Sequence, residues 1–266
     1  MQLSKRLHAV ASLVTQGCRV ADVGCDHAYT SIYLIEQEIS PHIIAMDVNQ
    51  GPIDRAKENI IKYRFEDHIE VRKSNGLEKL KIGEADTILI AGMGGGLIIQ
   101  ILSEQMEVFK SVSELVLQPQ SEINRVRKML YENDFLITKE HMLKEDGKYY
   151  VMMKAVPRGV IKDVQAYQLT GKAHFYFGRL LLEQRNPVLS EFLLWEQALC
   201  ESILQTLESE QTENSLLRQK EIREKMELIK DGLGYYKCVL KHADGSSVKK
   251  EHLHTGRKNI FTREEP

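Results

Sequence analysis

The segment Val20-Ala-Asp-Val-Gly-Cys-Asp-His-Ala28 limits what this chain can fold into more than any other stretch of it. An apolar run from Cys18 to Gly24 ends in an acid and then a glycine, the pattern of a buried strand that turns sharply at its carboxyl end. Glycine lets backbone approach a ligand with no Cβ in the way. A helix starting just beyond would aim its positive N-terminus at the same point, where an anionic group could sit. Asp22 suits a cationic part of the same ligand. Asp26 and Ala28 stand where glycine-rich dinucleotide loops carry further glycines. A lone glycine turn is also an ordinary structural feature, so the case for a ligand needs a second residue at a neighbouring strand end.

Asp47 supplies one. A second apolar run, His42–Val48, ends there about 20 residues on, where a carboxylate can reach both hydroxyls of a ribose. Val48, Asn49 and Gln50 include no Arg or Lys, which argues against a phosphate on that ribose. Further runs at Ile69–Arg72, Thr87–Ala91 and Glu114–Leu117 alternate with helical spacing at Ile53, Ala56, Ile60 and Tyr63, at Leu97–Leu102, and at Ile123, Val126 and Leu130. Strands alternating with helices predict a parallel sheet with right-handed crossovers. Phe135–Leu143 and Tyr149–Val156, joined by a polar turn, leave no room for a helix and predict an antiparallel hairpin at the end of that sheet. The expected fold is α/β: a Rossmann-like, doubly wound sheet over 1–158.

Beyond Pro157-Arg158-Gly159 the strand signal stops. Leu189, Phe192, Leu193, Ala198, Leu199, Ile203 and Leu207 recur at helical spacing after the helix start Asn186-Pro187, and a charged helix spans 213–231. This predicts a helical, coiled-coil-like arm over 159–235, with 236–266 a polar, flexible tail. The N-terminal residues read as an amphipathic helix with Leu3, Leu7, Val10 and Val14 on one face, not as a signal peptide.

Two other clusters sit at strand ends. Asn75-Gly76 follows the third strand, where it could grip a planar ring or merely turn the chain. Ile90-Ala-Gly-Met-Gly-Gly-Gly96 carries four glycines in five positions, more than a turn needs, which permits close approach by two ligands or makes a hinge. Leu117-Gln-Pro-Gln120 puts amides on the same rim, able to read the pairing edge of an exposed base or to begin a loop.

With these pieces the chain resembles the bacterial tRNA (adenine-22-N1)-methyltransferases, the TrmK family. The resemblance rests on Leu3-Ser-Lys-Arg-Leu7, Asp22-Val-Gly-Cys-Asp-His-Ala-Tyr29, Ile90-Ala-Gly-Met-Gly-Gly95, Leu117-Gln-Pro, Asp146-Gly-Lys-Tyr-Tyr150 and Asn186-Pro-Val188, in family order over roughly 1–235. Gln120 and Cys25 depart from it, standing where Asn and Ser are expected. The resemblance implies a class I S-adenosylmethionine-dependent methyltransferase acting on adenine N1 in the D-arm region of tRNA. It implies cofactor contacts from Asp22, Gly24 and His27, from Asp47 and Val48, from Asn75 and Gly76, and from Ala91, Gly92 and Met93. Asp26 is expected beside the methylated ring, where its charge would stabilise the cationic product, with Gln118 on the substrate side.

Charge and cysteines set outer bounds. The net charge is −2, so any RNA contact must come from a local patch. Arg125, Arg127 and Lys128, with Arg55, Lys57, Lys62 and Arg64, are candidates for a phosphate track. The arm, with Lys172, Arg179, Arg185, Arg218, Lys220, Arg223 and Lys225, is expected to add tRNA affinity without chemistry. The four cysteines show no CxxC spacing, and reduced thiols in the cytoplasm are the simplest account. Cys238, His242, His252 and His254 fit no zinc spacing, so no metal is expected. No run nears the roughly 20 apolar residues of a membrane span. Two competing readings keep the fold: a methyltransferase for a small molecule or protein, and a non-catalytic RNA-binding adaptor.

Overall fold

The computed structural model describes residues 2–208 and 212–237. Its centre is a seven-stranded sheet in the order β3-β2-β1-β4-β5-β7-β6. The strands are β1 (Val20–Val23), β2 (Ile43–Asp47), β3 (Ile69–Lys73), β4 (Thr87–Met93), β5 (Glu114–Pro119), β6 (Phe135–Glu145) and β7 (Lys148–Pro157). The first five are parallel, and β7 pairs antiparallel with both β5 and β6. The hairpin therefore folds back so that its second strand lies inside the sheet. Burial explains the order: residues 151–155 of β7 are buried on both faces, whereas β6 alternates in its distal half, as an edge strand should.

Two apolar layers cover the sheet. On one face α1 (Lys5–Ala11), α2 (Tyr29–Glu36) and α3 (Gln50–Tyr63) bury Val10, Ile32, Leu34, Ala56 and Ile60. On the other, α4 (Gly95–Glu104), α5 (Met106–Ser111) and α6 (Ile123–Glu132) bury Ile98, Leu102, Phe109, Val126 and Leu130. The short α5 has no periodic signature of its own, and the sequence pattern does not anticipate it. The strand order reverses between β1 and β4, which opens a crevice past their carboxyl ends.

The C-terminal region comprises α7 (Lys172–Phe177), α8 (Arg179–Glu183), α9 (Pro187–Glu208) and α10 (Glu213–Gly234). The long helices α9 and α10 pack on each other, but their base is not separate from the sheet. Leu181, Leu182, Leu189, Leu193, Ile222, Ile229 and Tyr236 belong to the same apolar cluster as Ile137, Met142, Val151 and Met153.

A buried ion pair ties this junction together. The Arg127 side chain is 1% exposed, its Nε donates to Glu140 Oε1 at 2.9 Å, and its Nη1 donates to the carbonyls of Phe175 and Tyr176 at the end of α7. This corrects the phosphate-track reading for Arg127, whose guanidinium faces the core. Arg125 and Lys128 stay exposed on the other side of α6. Cys238, His242, His252 and His254 lie outside the described residues, as does nearly all of the expected tail. Among the described residues no helix is long and apolar enough to cross a membrane.

Removing one member of a buried pair strands the other, at a cost of about 3–5 kcal/mol. Arg127→Ala is therefore expected to lower the melting temperature by roughly 6–15 °C. Cutting the chain after Gly159 removes the carbonyl partners and the apolar cover at once. The truncated protein is expected to lose cooperative unfolding, which scanning calorimetry reads directly.

Candidate active site

The crevice is built from four strand ends. Val23 of β1 lies opposite Met46 of β2 and Ile90 of β4, so Gly24 emerges beside Asp47 on one side and Ala91 on the other. The backbone turns there because Gly24, at φ +76°, and Cys25 both donate to the Met46 carbonyl, at 2.8 and 3.0 Å. The Met93 methyl lies 2.2 Å from where a Gly24 Cβ would stand, so β1 and β4 meet closely at this point.

Asp22 is 4% exposed, and its Oδ2 accepts from the Ser31 hydroxyl of α2 at 2.7 Å. Burial raises its carboxyl to about 6, against the lowering effect of the Ser31 bond. Asp47, half-buried, accepts the Asn49 amide on Oδ1 at 2.9 Å. Among the described residues neither carboxylate is paired with a cation. Ser74 N donates to the Asp47 carbonyl, which brings the Asn75-Gly76 turn to the same rim. The Asn75 amide itself donates to Glu78. Val48 is 51% exposed beside Asp47.

Asp26 and His27 form the outer lip. Asp26 takes φ +48°, and its side chain, 60% exposed, accepts from Arg55 of α3 at 3.0 Å and stands 3.6 Å from His27 Nε2. His27 stacks on Tyr29. Arg55 thus has a carboxylate partner inside the site and is not free for a phosphate track. Burial pushes the Cys25 thiol up, which keeps it neutral.

Gln118 is completely buried. Its Oε1 accepts from Gly92 N at 3.1 Å and from Arg6 Nη1 at 2.7 Å, and its Nε2 donates to the Pro119 carbonyl. The side chain is thus committed to the Gly92 turn and to Arg6. Gln120 is the exposed amide, anchored through its backbone to Met93. The glycine run also divides. A Cβ on Gly95 would stand 2.3 Å from the Ser121 carbonyl, so this glycine serves packing against the β5–α6 turn rather than approach by a ligand. Ser31 escapes a reading of the sequence; its one signal is a hydroxyl among the residues that α2 buries, beside Thr30, Ile32, Leu34 and Ile35.

The comparisons with known proteins agree with this geometry. Residues 3–153 match the methyltransferase-domain family. The tRNA (adenine(22)-N(1))-methyltransferase of Bacillus subtilis (strain 168) is 34% identical over 235 residues, which cover 87% of this chain and 97% of the relative. The chain belongs to the TrmK family. Two solved members of that family superpose along nearly their whole length. The B. subtilis M1A22 tRNA methyltransferase TrmK gives a TM-score of 0.78 at 34% identity, covering 87% of this chain and 99% of its own. M. capricolum TrmK, in complex with the natural cofactor product S-adenosyl-homocysteine, gives 0.75 at 26%, covering 88% and 99%.

A cationic ligand favours ionised Asp22, so its affinity should fall as pH drops through about 6 and level off above. Between about pH 8 and pH 5 the ionised fraction, and with it the affinity, is expected to fall about tenfold. Titration calorimetry with S-adenosylmethionine tests this, and Asp22→Asn should abolish the pH dependence. Asp47→Ala should weaken cofactor binding about 100-fold or more, the worth of a charge-assisted pair of ribose bonds. Unchanged affinity in that variant would overturn the pocket.

Proposed function

We propose that this protein transfers a methyl group from S-adenosyl-L-methionine to N1 of adenine 22 in tRNA. The observation that carries the reading is the crevice at the strand reversal, with Asp22 and Asp47 side by side and, among the described residues, no cation paired to either. A site of that charge suits a ligand that is itself cationic and carries a ribose. Asp22 would face the charged end and Asp47 the ribose hydroxyls, with Val48 and the 75–76 turn beside the cofactor's base.

Bound there, the cofactor supplies an electrophilic methyl on a positively charged sulfur. Neutral adenine N1 carries its own lone pair, so no residue of the chain has to remove a proton first. The protein's task is orientation at near-attack distance, worth several kcal/mol of the barrier. With the cofactor over β1 and β2, the adenine enters over the ends of β4 and β5, past Gly92 and Met93. N1 lies on the pairing edge, so the base must leave its stack, at a cost of a few kcal/mol. Asp26 on the outer lip meets the positive charge that grows on the ring, and Arg55 holds it there. A tRNA substrate and the unpaired thiols of Cys18, Cys25 and Cys200 fit action in the cytoplasm.

Incubation with labelled cofactor and total bacterial RNA, protein or small metabolites separates this reading from a metabolite or protein methyltransferase. Label is expected in tRNA; label confined to either other fraction would overturn it. Asp26→Asn should lower turnover about tenfold or more while changing cofactor and tRNA affinity little. Equal loss of all three would make Asp26 part of the cofactor shell instead.

A further inference from the structure

Three stretches that carry the family resemblance, far apart in sequence, converge on one side chain for which the cofactor site has no use. Leu3-Ser-Lys-Arg-Leu7 forms the start of α1. Ser4 caps it, accepting from Leu7 N at 3.2 Å, and Glu145 at the end of β6 accepts from Lys5 N and Arg6 N at 2.8 and 3.1 Å. The Arg6 side chain then reaches inward. Its Nη1 donates to Gln118 of the Leu117-Gln-Pro stretch, and its guanidinium stacks 5.6 Å from the ring centre of Tyr150, the last residue of Asp146-Gly-Lys-Tyr-Tyr150.

This cation stands over the Gly92 turn. A Cβ on Gly92 would lie 3.4 Å from Arg6 Nη1, and the same Gln118 oxygen binds both Gly92 N and Arg6. Among the described residues the guanidinium meets no carboxylate, unlike Arg55, Arg72 or Arg127. It is half-buried, fixed on its backbone, its ring face and one nitrogen, and among the described residues its remaining N–H groups stay uncommitted. A planar fork with its charge unneutralised is suited to an anion with paired oxygens.

We propose that Arg6 is the anion-binding group that takes the backbone phosphate of the nucleotide whose adenine enters the site. The inference rests on tRNA as the substrate. A base turned out of its stack brings its own phosphates to the pocket rim, and Arg6 marks the rim on the β4–β5 side, away from the cofactor carboxylates. The β6–β7 hairpin supplies the support: Leu117 pairs with Met153, so Tyr150 and Glu145 lie past the end of β5 on the crevice side. Gln118 acts through its neighbours as a positioning residue, setting the Gly92 turn and the cation at a common oxygen.

The test compares wild type, Arg6→Gln and Arg6→Lys for cofactor affinity by calorimetry, for kcat and KM with tRNA, and for the salt dependence of tRNA binding. A lost charge-assisted contact should lower kcat/KM for tRNA about 10- to 100-fold in Arg6→Gln. The slope of log affinity against log salt should become shallower by roughly 0.7–0.9, the value of one phosphate contact. Cofactor affinity should stay within about twofold of wild type, since among the described residues the Arg6 side chain contacts Gln118 and Tyr150 and neither Asp22 nor Asp47. Arg6→Lys keeps the charge without the fork and should restore the salt slope but only part of kcat/KM. An unchanged salt slope in a folded Arg6→Gln protein would overturn the proposal, as would a loss of cofactor affinity equal to the loss of kcat/KM, which would make Arg6 a prop for the Gly92 turn. A wild-type enzyme that labels no tRNA fails the substrate reading instead, and is recognised before any variant is made.

Discussion

A carboxylate buried with no cation beside it among the described residues is the constraint on which the rest of this structure depends. Asp22 sits in the middle of the sheet, supported by one hydroxyl, and is held well above its ordinary range by desolvation. Above pH about 6 the ionised carboxylate therefore carries a desolvation cost that a cationic ligand relieves. The parallel pairing of β1 with β2 places Asp47 at the same rim, and the Gly24 turn keeps the space before both acids clear of backbone. The two acids and the strand order are thus one arrangement, and it is the one our proposed cofactor site uses.

The opposite logic governs the junction with the C-terminal helices. Arg127 and Glu140 are as deeply buried as Asp22, but they are paired, and the carbonyls ending α7 take the arginine's Nη1. That makes α7 and the base of α9 and α10 a cover on the catalytic sheet and not a detachable extension. The exposed outer lengths of the two long helices remain free to extend a contact with a large substrate, while their base fixes the direction in which they project.

Much of this is legible in the residues. The Asp22-x-Gly24 turn declares itself because apolar run, acid and glycine agree, Asp47 because an acid ends the next apolar run, and the hairpin because nothing between 143 and 149 can form a helix. What stays hidden depends on long-range contact. That β7 lies inside β6 follows from which strand is buried on both faces, a property of the sheet and not of either segment. Arg127 reads like Arg125 and Lys128 in sequence, and only the helical phase together with Glu140 turns it inward. Gln118 announces an amide near the substrate, yet its side-chain oxygen is spent on Gly92 N and Arg6. Arg6 itself lies in a family motif, and its role shows only in the way Glu145, Tyr150 and Gln118 hold it.

In the reaction we propose, the adenine N1 lone pair is the nucleophile, and the protein has the work of orientation and charge. The most direct measurement replaces adenine 22 of a tRNA transcript by 1-deazaadenine, in which a C–H stands where N1 was, and follows transfer of labelled methyl. The unmodified transcript should be methylated and the deaza transcript should take up no label at all. Label on the deaza transcript at that nucleotide would place the methyl on another atom and contradict the reaction described here.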